Sequence, residues 1–131
     1  MTVLLNITKT EGHVTILHFD GSLDRQTETL VIESARAVKN TGARFLLVDL
    51  HNVDMVTSAG LHALHGIFKM FTPHEEMEAR KKENTSEVFK SPYFKLSGAS
   101  SPIEYVLSIT GLLESVALYP TLQEALDSFP S

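Results

Sequence analysis

Residues 49–61 read Asp49-Leu50-His51-Asn52-Val53-Asp54-Met55-Val56-Thr57-Ser58-Ala59-Gly60-Leu61, and they mark the passage from a buried strand into a helix. Ahead of them, Phe45-Leu46-Leu47-Val48 is an apolar run of the kind that fills the middle of a covered sheet. A polar loop is expected after Asp49. From Thr57 onward the apolar residues Leu61, Leu64, Phe68 and Phe71 recur at spacings of three, four and three, which is helical. A hydroxyl residue therefore stands where strand becomes helix. A helix start carries unpaired backbone N–H groups and a partial positive charge. Ser58 reads either as an ordinary N-cap or as a position that accepts a phosphate.

Working outward, Val3 to Thr8 and His13 to Phe19 are β-type runs separated by the turn signal Glu11-Gly12, a hairpin pattern. Gly21-Ser22-Leu23 is expected to break the strand. Asp24 is expected to cap a helix running to about Asn40, with Leu30, Val31, Ser34, Ala35 and Val38 inward and Thr41-Gly42 at its end. On the other side, Thr72-Pro73-His74-Glu75 reads as a fresh capped start. It predicts a short solvated helix from 73 to about 84, then a loop to Pro92. Tyr93–Ser97 is a predicted strand. Ser101-Pro102-Ile103-Glu104 is a capping box that turns Ile103, Val106 and Leu107 inward, and Gly111 is a stop. Val116–Tyr119 reads as a last strand. Thr121 caps a final helix whose inner residues are Leu122, Ala125, Leu126 and Phe129. The order ββαβα(α)βαβα defines an α/β layer architecture with a partly parallel sheet.

Composition narrows the function. The 131 residues are 43% hydrophobic and 21% charged, ordinary for one globular domain. There is no cysteine, which excludes disulfides and thiolate metal sites. No apolar run reaches the roughly 18 residues of a membrane span, and no signal peptide is evident at Met1-Thr2-Val3-Leu4-Leu5-Asn6. A formal net charge of −5 argues against a nucleic-acid partner and favours a protein one.

Three stretches resemble the STAS domain family, which includes the bacterial anti-sigma factor antagonists and the cytoplasmic domains of sulfate transporters. Asp49-Leu50, Val53 and Met55-Val56-Thr57-Ser58-Ala59-Gly60-Leu61 are similar to its core motif; Gly21-Ser22-Leu23-Asp24 resembles its Gly-Glu-Leu-Asp; Gly111-Leu112 resembles its C-terminal Ser-Gly-Leu. The resemblance implies one domain over residues 1–131. Its fold would be a mixed sheet of about five strands with helices mainly on one side, and an extended connection would lie at about 73–92. It implies that Ser58 is the serine phosphorylated by a partner, an anti-sigma factor that is also a serine/threonine kinase, with a phosphatase reversing the step. Thr57 stands where the family most often has Asp and is the alternative acceptor. Ala59 replaces a frequent second Ser. Asp24, Thr57, Ser58, Ala59, Gly60, His62 and His65 are the expected partner-binding residues. A cytoplasmic, non-enzymatic regulator is implied, a monomer or weak dimer without cofactor or membrane insertion.

Other chemistry reads more weakly. His62, His65 and Lys69 share a helical stripe, a solvated face or a cationic contact for an acidic partner. With His51 the two histidines form a metal trio lacking a fourth ligand, so no metal site is expected. The Asp49 carboxylate is expected to accept backbone N–H groups. Gly60 and Gly66 make no phosphate loop, since no Gly-Lys-Ser/Thr follows. Gly66 is expected to permit a close helix contact. Two alternatives stay open: a STAS subunit of a transporter or signalling complex that is never phosphorylated, and a small hydrolase with Ser58 as nucleophile. The second lacks a Gly-x-Ser-x-Gly elbow.

Overall fold

Alternating and continuous apolar runs build a five-stranded sheet. The computed structural model describes residues 4–9, 14–76 and 90–129. Strands β1 (Leu4–Lys9), β2 (Val14–Leu23), β3 (Phe45–Val56), β4 (Phe94–Ser97) and β5 (Ala117–Tyr119) lie side by side in sequence order. β1 runs antiparallel to β2, and the remaining neighbours pair in parallel. Parallel neighbours need crossovers. These are α1 (Glu28–Asn40), α2 (Ser58–Phe71) and α3 (Ser101–Ile109), the last followed by a 3-10 turn at Leu112–Glu114; α4 (Leu122–Asp127) follows β5.

The two faces of the sheet are covered unequally, as expected. Leu17, Phe19, Leu46, Val48, Leu50, Phe94 and Leu96 face α1, α2 and α3, and pack with Val31, Ala35, Leu64, Ile67, Phe68, Ile103 and Leu107. The opposite face is smaller: Val14, Ile16, Phe45 and Leu47 meet Ala125 and Phe129 from the α4 region. Each buried Leu, Ile or Phe is worth about 1.5–3 kcal/mol over its exposed state, so the three-helix face dominates the stability. Leu122, Ala125, Leu126 and Phe129 all join the smaller cluster, as their spacing predicts.

Several boundaries differ from expectation, each for a local reason. β2 does not break at Gly21; it runs on to Leu23, with Gly21 at φ 115° and two register shifts against β3. β3 likewise continues through the expected polar loop to Val56, pairing Met55 with Ser22 and Val56 with Leu23. Along this extension Val53 and Val56 are buried while His51, Asn52, Asp54 and Met55 face solvent. Asp24 does not cap α1. Its carboxylate accepts the backbone N–H groups of Gln26 (3.0 Å) and Thr27 (3.1 Å), closing a turn, and Thr27 is the N-cap. Leu30 is 41% exposed rather than inward. Ser100 stands at the N-cap position of α3 without a side-chain cap bond, so Ser101 is the first helical residue. Gly111, at φ 84°, ends α3 as expected, and Thr121 caps α4 through the Glu124 N–H at 3.1 Å. Thr72 spends its hydroxyl on Ser91 Oγ at 2.7 Å. Of the helix expected at 73–84, residues 74–76 are helical; the rest, and the turn at Glu11-Gly12, lie outside the described residues.

Candidate functional site

The extended ends of β2 and β3 bring the Gly21–Asp24 and Thr57–Gly60 stretches together. The Thr57 N–H donates to the Leu23 carbonyl at 2.9 Å, prolonging the sheet ladder by one bond into the helix start. Thr57 is the N-cap of α2: its backbone is extended, and its hydroxyl oxygen accepts the Gly60 N–H at 3.5 Å. The cap is therefore one residue earlier than Ser58. Ser58 opens the helix as an exposed residue, and no hydrogen bond occupies its hydroxyl among the described residues.

Gly60 explains the close approach. A Cβ at this position would meet the Leu23 carbonyl oxygen at 2.2 Å, its carbon at 2.8 Å and Leu23 Cβ at 2.9 Å. Only a residue without a side chain lets the first turn of α2 rest on the end of β2. Gly66, on the same helix, has nothing within 4 Å of such a Cβ among the described residues, so the close contact expected there is absent. Asp24 follows Leu23 directly, which sets its turn beside the start of α2. Asp24, Thr57, Ser58, Ala59 and Gly60 thus share one end of the sheet.

His62, His65 and Lys69 are all exposed along α2, as their spacing predicts. His62 turns to α1, where Nδ1 lies 2.6 Å from Glu28 Oε2, in the first turn of that helix. His65 lies further along α2 and stacks on Phe68, ring centroids 5.8 Å apart. Burial first, then the charges of Lys69 and His62, hold its imidazole below the ordinary value of 6.5. His51 is exposed on β3. No group of three or more His, Asp or Glu side chains is placed to hold a metal among the described residues.

Three features escaped the sequence. Glu28 anchors His62, but nothing in the spacing pairs residues 34 positions apart. Met55 is 47% exposed beside the Ser22–Asp54 hydrogen bond of 2.9 Å. Asp49 accepts the His51 N–H at 3.0 Å, as expected, and also holds His18 Nδ1 at 2.7 Å, a pair that exists only because the β2–β3 register sets the two residues side by side.

Residues 5–75, more than half of the chain, match the model of the STAS domain, and the chain belongs to that family. Among solved structures it is similar to an anti-sigma factor antagonist from Mycobacterium paratuberculosis, with 21% identity and TM-score 0.70 over 97% of this chain and 93% of that one. A putative anti-sigma factor antagonist from Thermotoga maritima gives 21% identity and TM-score 0.72, covering 94% and 92%. The Bacillus cell fate determinant SpoIIAA in its phosphorylated form gives 16% identity and TM-score 0.60, covering 95% and 97%. At these identities the likeness is one of fold. No curated protein matches the sequence significantly. Among the described residues no helix is long and apolar enough to cross a membrane.

Proposed function

We propose that residues 1–131 form one regulatory STAS domain of the anti-sigma factor antagonist type. It docks on an anti-sigma factor that is a serine/threonine kinase and is released when Ser58 is phosphorylated; a phosphatase resets it. The domain acts in the cytoplasm by binding and catalyses nothing itself. One observation carries the reading: Thr57 does the capping, and the Ser58 hydroxyl is left exposed on the first turn of α2 with no hydrogen bond among the described residues. Phosphate there adds about −1.5 to −2 charges. The helix dipole favours that charge by about 0.3–1 kcal/mol at an exposed site, so the fold tolerates the modification. A docked partner does not, because desolvated or like-charged groups cost several kcal/mol in an interface. Moving a complex from nearly all bound to nearly all free takes about 5.5 kcal/mol of differential affinity, and one buried phosphate supplies much of it.

Asp24, Thr57 and Ala59 form the docking patch with Ser58, and Gly60, buried against Leu23, seats it; His62 and His65 extend it along α2. The test uses Ser58→Ala and Ser58→Glu proteins as baits in native lysate, with circular dichroism of both. A kinase-type partner held by the first and lost by the second, with both folded, supports the reading. Equal capture by both, or an unfolded Ser58→Glu protein, overturns it.

A further inference from the structure

Phosphoserine 58 would need a counter-group, and His62 stands about one turn further along the same helix. Ser58 and His62 are four residues apart on α2, so their Cβ atoms are neighbours at about 5–6 Å. The Cα–Cβ bonds of a helix tilt toward its N-terminus, which sets the His62 Cβ on the Ser58 side of its own turn. The ring is held through one nitrogen: Nδ1 lies 2.6 Å from Glu28 Oε2, and the side chain is 75% exposed. Nδ1 bonded to a carboxylate fixes which ring nitrogen serves a second anion.

We propose that His62 is the positioning residue for the phosphorylated state, bridging Glu28 through Nδ1 and the Ser58 phosphate through Nε2, and so tying the modified helix start to α1. This rests on Ser58 being the modified residue. The bridge demands a protonated ring, since both nitrogens must donate. Its charged neighbours among the described residues are Glu28 from α1 and, on its own helix, His65, whose imidazole feels the His62 charge. An unmodified Ser58 gives His62 one anionic partner; the phosphate gives it two of opposite sign to its own. The modification therefore couples to protonation of His62.

The test installs phosphoserine at position 58 during synthesis, without any kinase, and titrates the whole protein by nuclear magnetic resonance. Imidazole signals report His62, and phosphorus signals report the phosphate. The His62 midpoint is expected to rise by about one unit on phosphorylation, the lower end of the effect of a close opposite charge, and the phosphate's second ionisation to fall. His62→Gln, which keeps an amide for Glu28, is expected to abolish the shift of the phosphate. Equal His62 midpoints with and without phosphate, or an unchanged phosphate titration in His62→Gln, overturn the bridge. The Ser58 reading fails separately, if protein from native cells never carries phosphate there.

Discussion

Replacing Gly60 by Ala and Gly66 by Ala makes the same chemical change twice on one helix, with opposite expected signs. At Gly60 the new methyl carbon falls 2.2 Å from the Leu23 carbonyl oxygen, and the next two atoms are backbone and Cβ of the same residue at 2.8 and 2.9 Å. No flexible side-chain end can swing away. Relief requires the start of α2 or the end of β2 to move by about 1 Å, given ordinary non-bonded separations. Overpacking of this kind costs about 1–3 kcal/mol, and straining the 2.9 Å Thr57–Leu23 bond adds about 1 kcal/mol. The better helix propensity of Ala returns about 1 kcal/mol. The net loss is about 1–3 kcal/mol. At Gly66, where nothing among the described residues lies within 4 Å, the propensity gain stands alone and stabilises by about 0.5–1 kcal/mol. Urea unfolding of both variants beside the parent gives the two differences directly, read as midpoints at constant slope. If Gly60→Ala were as stable as Gly66→Ala, the close packing of α2 on β2 would be wrong, and with it the juxtaposition of Asp24 and Ser58.

Thr57→Ala is expected to cost about 0.5–1 kcal/mol, the lower part of the range for a lost N-cap, because the 3.5 Å bond to the Gly60 N–H is long; thermal unfolding checks it. Asp49→Ala strips partners from both His18 and the His51 N–H and is expected to cost about 1.5–3 kcal/mol; a double-mutant cycle with His18→Ala should show coupling, and strict additivity would contradict the pair. His65 titrates below 6.5 in the folded chain, so between its folded midpoint and 6.5 the unfolded state binds more protons. Its contribution is fully present above pH 6.5 and is lost as pH falls through the folded midpoint. His65→Gln should therefore lose less stability than the parent on acidification across that window, by a small margin because the ring is largely exposed; unfolding midpoints at several pH values measure it.

The element order was legible because burial imposes it. Phe45–Val48 is apolar on both faces and so reads as a central strand, and the α2 spacing is the imprint of one buried helix face. The ends of β2 and β3 were not legible. Past Asp49 exposed and buried residues no longer alternate strictly, and two register shifts break the period that marks a strand. Caps were misplaced by one residue at Ser58 and Ser101 and by three at Asp24, since Asp, Ser and Thr all close turns as readily as they cap helices. The place of Ser58 at the start of α2 was legible because the change from a strand run to helical spacing is a local signal. Glu28 and His18 were missed because their partners are set by packing and register, which no local window contains.

The exposed Ser58 hydroxyl as a reversible barrier to docking is tested most directly by site-resolved mass spectrometry of the protein isolated from its native cells, sampled across growth states. Phosphate on the Ser58 position in a fraction that changes with growth state, and is absent from the partner-bound pool, is the expected result. Phosphate on Thr57 instead, or none in any state, would contradict it.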